Sequence, residues 1–492
     1  MKLKRWIYYL LPALGTVFCL WYIKEATCDI VYTDYIRLVN KYLPDVWSAE
    51  NFFRPDVLTR IPVCYLGRII NVYFFNYSTT FDMGLGALGL GLSALVLGRY
   101  CDKKQVGLVW FSFLMFLLFG LNKWEMLTNG SGWPHFLAFG CFYYHYLVFD
   151  RVLYGEEKKH DRILLLALPA LITILVAGPY CAVYSVVLIL SCAFACLSGR
   201  LDKRYCMAGV ASVVIPLLLY MWSNSYAYED HDGAIKISLG EMFLERPEFF
   251  PNFLVRSMAS MVVGEETIRE LVEKGLLSDN GVYLMGVLLA GGYLLALYLN
   301  VRCRLYERTL VPLMLLFAGM GNHGIILVSR YIFGREEYGM SSRYALQYQA
   351  GVLGMVLTFA LVWKVAEWSG QRAGRGGPAD QASGLASTVG PAGAAASPRP
   401  QMGTASRMAA LAFCLMLLMG HGYTNYRELQ KAPYREEYGE NIARAALQYE
   451  ILSDDELRRT FDYREGREES AADVRRALGI LKEHGWNVFG RQ

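Results

Sequence analysis

Long apolar runs alternate with short segments rich in Lys and Arg along this chain of 492 residues, and no other feature limits its fold as severely. Inside hydrocarbon a backbone must satisfy its own N–H and C=O groups, so a series of runs about 20 residues long commits the chain to membrane-spanning helices. Composition agrees, since 54% of the residues are hydrophobic and only 19% are charged, against roughly 25% charged in soluble domains. These proportions exclude a secreted disulfide scaffold and a disordered chain. The formal net charge of +4 implies no polybasic surface, so nucleic acid is not an expected partner. Most cysteines sit inside the apolar runs (Cys141, Cys181, Cys192, Cys196, Cys414), where a thiol acts as a small hydrophobe. Only Cys28 and Cys64 share one soluble loop, which leaves a single disulfide open to them.

The fold class expected is all-α, a polytopic transmembrane helix bundle of about eleven spans. The spans fall at Trp6–Ile23, Met83–Gly98, Val106–Leu121, Trp133–Phe149, Ile163–Gly178, Tyr180–Leu197, Met207–Trp222, Gly281–Leu299, Leu310–Val328, Tyr344–Trp363 and Met408–Gly420. The short basic connections, such as Arg99 with Lys103 and Lys104, or Arg200 with Lys203 and Arg204, then all lie on one side. By the positive-inside rule that side is cytoplasmic, with the N-terminus inside and the C-terminus outside. The first span follows a basic start, but the residues after it (Trp21 to Lys24) lack a small-residue cleavage site, so it reads as an uncleaved anchor.

The hydrophilic pieces sort to the outer side. Residues 1–368 form a transmembrane core with outer loops at 24–82 and 223–280. Residues 369–407, rich in Gly, Ala, Ser and Pro, read as a flexible cytoplasmic linker, and 408–492 hold the last span and a helical outer tail. Within the first outer loop, Asp34 to Leu43 puts Asp34, Arg37 and Lys41 on one helical face and Tyr35, Ile36, Val39 and Tyr42 on the other. Thr33 can cap that helix and Pro44 ends it. A second stretch, Val57–Asn71, aligns Arg60, Cys64, Arg68 and Asn71, with Pro62 kinking the helix or delaying its start. Amphipathic helices of this kind lie along a membrane surface. In the tail, Ser470 to Asp473 has the capping-box pattern and the helix it opens stops near Gly485.

Several side chains suit chemistry, and each has an ordinary alternative. Asp34, with Asp29 shortly before it, is a carboxylate at the rim of a bundle, placed to take a proton from a hydroxyl or to ligate a divalent cation; the alternative is an ion pair with Arg37 or a helix cap. Arg330 and Arg343, the latter followed by Tyr344, stand at the outer ends of neighbouring spans, where guanidinium forks meet lipid phosphate, or merely snorkel. Trp124 and Glu125 lie in a short outer loop where an indole stacks on a sugar or anchors a helix; with Arg60 they are the acceptor-side candidates. Gly84, Gly86 and Gly89 spell the dinucleotide fingerprint but lie within a span, where small residues serve helix packing. The acidic run Glu229 to Asp232 reads as a solvated turn. No Walker A, HExxH or paired CxxC is present, which disfavours an ATP-driven pump and a zinc enzyme.

A single span leading to a large outer loop with an early acid (Thr33-Asp34-Tyr35), surface helices in that loop, and a late outer Ser342-Arg343-Tyr344 followed by a span, a linker and a last span resemble the GT-C superfamily of integral membrane glycosyltransferases. The resemblance implies transfer of a sugar from a polyprenyl-phosphate donor to an extracytoplasmic acceptor in a bacterial cell membrane. Asp34 would act as base or metal ligand, and Arg343, Arg330 and Tyr344 would meet the donor phosphate. It fixes no cofactor, a divalent cation at Asp34 being one alternative. The paired Asp-Glu of the mannosyltransferases is absent, since Tyr35 follows Asp34, and so is the WWDYG motif of oligosaccharyltransferases. A transporter or flippase of lipid-linked sugars is the competing reading, and Met320 to Gly324, a polar break within a span, is its main support. A surface-polysaccharide polymerase or ligase is a third.

Overall fold

The computed structural model describes residues 2–54, 61–224, 234–235, 237–375, 402–464, 467 and 469–491, and among these it is all helical, with no strand. The α-helices in chain order are α1 (Lys2–Ala26), α2 (Asp34–Tyr42), α3 (Glu50–Phe53), α4 (Pro62–Phe75), α5 (Thr79–Lys104), α6 (Leu108–Leu118), α7 (Trp124–Thr128), α8 (Trp133–Leu153), α9 (Asp161–Leu171) and α10 (Cys181–Leu197). They continue as α11 (Lys203–Asn224), α12 (Leu239–Glu245), α13 (Phe249–Ala259), α14 (Glu265–Glu273), α15 (Asp279–Arg302), α16 (Val311–Arg330), α17 (Ala345–Arg375), α18 (Thr404–Leu447), α19 (Asp454–Phe461) and α20 (Ser470–His484).

Nine helical segments among the described residues are long and apolar enough to cross a membrane, the mark of an integral membrane protein. The difference from eleven has two sources. Helix α8 is long enough, at 21 residues, but its tyrosines and histidines lower its apolarity. The segment Asp161–Leu197 counts as one, yet the chain turns at Gly178, whose φ of +56° suits glycine. Leu165 near the start of α9 and Cys192 near the end of α10 both flank Gly209 of α11, so the two arms run antiparallel.

Helix α5 is the hub of the bundle, and its glycines explain why. A Cβ on Gly89 would lie 2.8 Å from the backbone nitrogen of Leu137 in α8, and one on Gly98 would strike the Tyr8 carbonyl in α1. The glycine pattern therefore serves helix packing, since only bare backbone allows this approach. At one end of the bundle the short basic connections meet carboxylates: Arg5 with Asp102 at 3.2 Å, Lys104 with Asp150 at 3.5 Å, and the buried pair Arg151–Asp161 at 2.6 Å. The long hydrophilic segments gather at the other end.

There the last helix departs from expectation. Instead of a short span that gives way to a separate tail, α18 runs unbroken for 44 residues. Its second half is held by charge. Arg435 reaches Glu266 of α14 at 2.7 Å, Glu428 at 2.6 Å and the Tyr22 hydroxyl at 2.8 Å, while Lys431 meets Glu266 at 3.0 Å and Arg427 pairs with Glu270. Helices α19 and α20 then fold back on the first outer loop, where Ile36 and Val39 of α2 share a core with Val474, Leu478 and Leu481. The linker expected at 369–407 is helical at both edges, in α17 to Arg375 and in α18 from Thr404; residues 376–401 lie outside the described part. The capping expectations fail in two places. Thr33 has a φ of 47° and its side chain makes no cap bond, while Ser470 lies inside α20 and donates its hydroxyl to the Arg464 carbonyl at 2.6 Å. The stop at Gly485 is in place, with φ +64°. Helix α4 starts at Pro62, a residue suited to the first helical turn.

Two outcomes follow. Gly89→Leu forces α5 from α8 and lowers the thermal midpoint in detergent, an overpacking loss of about 1–3 kcal/mol; Gly291→Leu, with nothing within 4 Å of its Cβ, leaves it unchanged. The Glu270 carboxyl is held down from 4.5 to about 2 by its bonds to Arg427 and Lys274. A depressed acid stabilises the fold above its unfolded value, so hydrogen-exchange protection of α14 is flat above pH 4.5 and falls as pH drops toward about 2.

Candidate functional site

The hydrophilic end holds a cavity of about 370 Å³. Helix α2 contributes Asp34 and Arg37 from its polar face, since Tyr35, Ile36 and Val39 are taken up by the tail core, and Tyr42 from its last turn. Helix α4 adds Cys64, Tyr65 and Arg68, and the first turn of α5 adds Asp82. The turn between α9 and α10 brings Tyr180, the end of α16 brings Ile325, Ile326 and Arg330, the turn before α17 brings Tyr344, and the first turn of α17 brings Gln347. The cavity is thus walled by residues remote in sequence, with apolar surface from Ile325 and Ile326 and cations from Arg37, Arg54, Arg68 and Arg330.

Of the residues singled out from sequence, Asp34, Arg330 and Tyr344 come together here. The Asp34 side chain is 49% exposed and lies 3.7 Å from Arg37. Arg330 donates from Nε to the Tyr344 hydroxyl at 2.7 Å. Arg343 is not part of the lining; it pairs with Glu125, which also accepts from the Ser342 hydroxyl at 2.9 Å, and Asp34 is near enough to act on its charge. Two of the candidates, one from each side of the expected reaction, are therefore partners of each other. Asp29 stands apart: its Oδ1 accepts from the Thr79 amide at 2.6 Å, the Thr79 hydroxyl at 2.9 Å and Asn487 Nδ2 at 3.1 Å, which places it at the N-terminus of α5. Trp124 is covered by the Arg435 guanidinium, 3.5 Å from the ring centroid. Arg60 and the acidic run 229–232 lie outside the described residues. Cys64 lines the cavity, whereas Cys28 packs against Gly439 of α18.

Asp82 escaped sequence reading. It is 9% exposed, and its oxygens accept from the Tyr35 hydroxyl at 2.8 Å and from Asn71 Nδ2 at 3.0 Å. Burial and the adjacent Asp82 push the Tyr35 phenol well above its ordinary value, so it stays a donor. The signal available was a carboxylate in the first turn of a long apolar run, where an ionisable group is costly. Arg68 was noted only as part of a stripe; its guanidinium lies 4.0 Å from the Tyr42 ring centroid. His135 and Gln347 gave no signal, since each shares its helix with other polar residues, His145 in α8 and Gln349 in α17, and nothing in the sequence set them apart.

A divalent cation finds little here. Among the described residues no group of three His, Cys, Asp or Glu side chains comes together to hold one. The two carboxylates of the cavity are engaged by Arg37 and by Tyr35 with Asn71. Comparison with protein-family models, curated proteins and solved structures finds no match to this chain. The functional reading therefore rests on the cavity.

Ser78 caps α5 by accepting from the Phe81 amide at 3.2 Å, so Asp29→Ala removes only the second acceptor at that terminus, the one that takes the Thr79 amide and hydroxyl and Asn487 Nδ2. The expected result is a loss of about 0.5–2 kcal/mol in thermal unfolding. A group engaged in chemistry alone would leave the midpoint unmoved.

Proposed function

We propose that this is an integral membrane glycosyltransferase of the GT-C kind, moving a sugar from a polyprenyl-phosphate donor to an extracytoplasmic acceptor. The observation that carries the reading is one cavity, at the end of the spanning helices away from the basic connections, that combines Asp34, a set of guanidinium groups and an apolar wall. By the positive-inside rule the basic end is cytoplasmic, so the cavity opens on the outer face. Nucleotide sugars are cytoplasmic, and a donor used on the outer face must arrive on a lipid.

In this reading Arg37, Arg68 and Arg330 meet the donor phosphate, and the apolar residues of α16 accept the start of the lipid chain. Arg343 is neutralised by Glu125 outside the lining, so the phosphate contacts fall to the other three arginines. Asp34 takes the proton of the acceptor hydroxyl as its oxygen bonds the anomeric carbon. The bond from that carbon to the phosphate oxygen breaks, and the electron pair leaves on the polyprenyl phosphate, where the arginines stabilise it. Asp34 as base, with no separate nucleophile, corresponds to a single displacement with inversion.

The transporter reading draws less support. Its polar break is packed: His323 stacks on Tyr348 at 3.9 Å and bonds the Ser257 hydroxyl at 2.8 Å, and Asn322 donates to the Gln347 carbonyl at 3.2 Å.

Asp34→Asn, assayed in membranes with polyprenyl-phosphate sugars, loses transfer by at least about 100-fold, the usual worth of a positioned base. Its thermal midpoint stays near that of the parent. Full transfer by this variant removes Asp34 from the chemistry.

A further inference from the structure

The polar lining of the cavity is not uniform. Its cations, Arg37, Arg54, Arg68 and Arg330, are partly or fully exposed, while its more buried polar side chains include three with acceptor atoms to spare. Gln347 is 3% exposed; its amide bonds Tyr180, and its Oε1 has no partner among the described residues. His135 Nδ1 has none either. Each Asp82 oxygen holds one donor and retains capacity for another. All three line the same cavity, and the His135 ring lies 4.4 Å from that of Tyr180, the residue that Gln347 bonds.

A buried acceptor left without a donor is destabilising, so three of them lining one cavity fit a ligand that brings hydroxyl groups. We propose that Asp82, His135 and Gln347 form a subsite for the hydroxyls of the transferred sugar, and that this sugar is an uncharged polyol ring. The inference rests on the glycosyltransferase reading and gives the donor a direction: phosphate toward the arginines, sugar toward the buried acceptors. It also sets selectivity. A uronic acid would bring a carboxylate, which has no proton to donate, against the spare acceptor atoms of Asp82, His135 and Gln347.

The test measures binding to the full-length protein in lipid nanodiscs. The probes are a polyprenyl phosphate, a panel of its neutral hexosyl and pentosyl esters, and a uronosyl ester. At least one neutral ester should bind about tenfold tighter than the bare phosphate, the worth of one or two hydrogen bonds, and the uronosyl ester no tighter. Gln347→Leu should erase that advantage while leaving affinity for the bare phosphate unchanged, whereas Arg330→Gln should weaken every probe alike. Asp82→Asn is the second variant and should admit the uronosyl ester. If phosphate binds but no neutral ester gains over it, or the gain survives Gln347→Leu, the subsite is wrong and the glycosyltransferase reading stands. If the parent protein binds neither phosphate nor any ester, both fall.

Discussion

One carboxylate oxygen holds the hydrophilic end of this protein together. Asp29 Oδ1 accepts from the amide and hydroxyl of Thr79 and from Asn487, and so joins the end of the first helix, the start of α5 and the last residues of the tail. A carboxylate at a helix N-terminus satisfies donors that the helix itself cannot and meets the positive end of its dipole. Three residues further along α5, Asp82 takes the Tyr35 hydroxyl from α2 and the Asn71 amide from α4. The position of both cavity helices thus descends from where α5 begins. Asn487 extends the stitch, since its side-chain amide also reaches the Tyr77 carbonyl and its backbone amide the Asn76 carbonyl.

The two ends of the bundle solve different problems. The basic end carries its charges in pairs, and a buried pair such as Arg151–Asp161 contributes more to a unique arrangement than to stability, because desolvation offsets most of the attraction. The middle relies on close backbone approach at glycines, the means left when lipid removes the hydrophobic gradient between helices. The hydrophilic end leaves guanidinium groups lining an open cavity, a cost that folding alone does not explain.

Much of this was legible in the sequence, and the parts that were not share a cause. Each apolar run became a helix, since hydrocarbon leaves a backbone no alternative. The two faces of α2 were readable because a helix repeats every 3.6 residues, and that placed Asp34 on the cavity side. The membership of Arg330 and Tyr344 followed from their place at the ends of spans. What stayed hidden depends on partners far along the chain. Glu125 and Arg343 are 218 residues apart and looked like separate candidates until their pairing emerged. The continuity of α18 rests on acids of α14, 157 residues away in the case of Arg427 and Glu270. Ser470 had the letters of a cap, but the helix starts one residue earlier than those letters imply, and its hydroxyl is taken by the Arg464 carbonyl of the preceding turn.

Because α18 is unbroken, it behaves as a strut about 66 Å long by helix geometry. It is clamped partway by the α14 acids and ends at the tail that buttresses α2. Bilayer thickness would then be mechanically linked to the Asp34 helix: a change in tilt at the lipid-embedded half has to be absorbed by bending, or be delivered to the far end as a displacement.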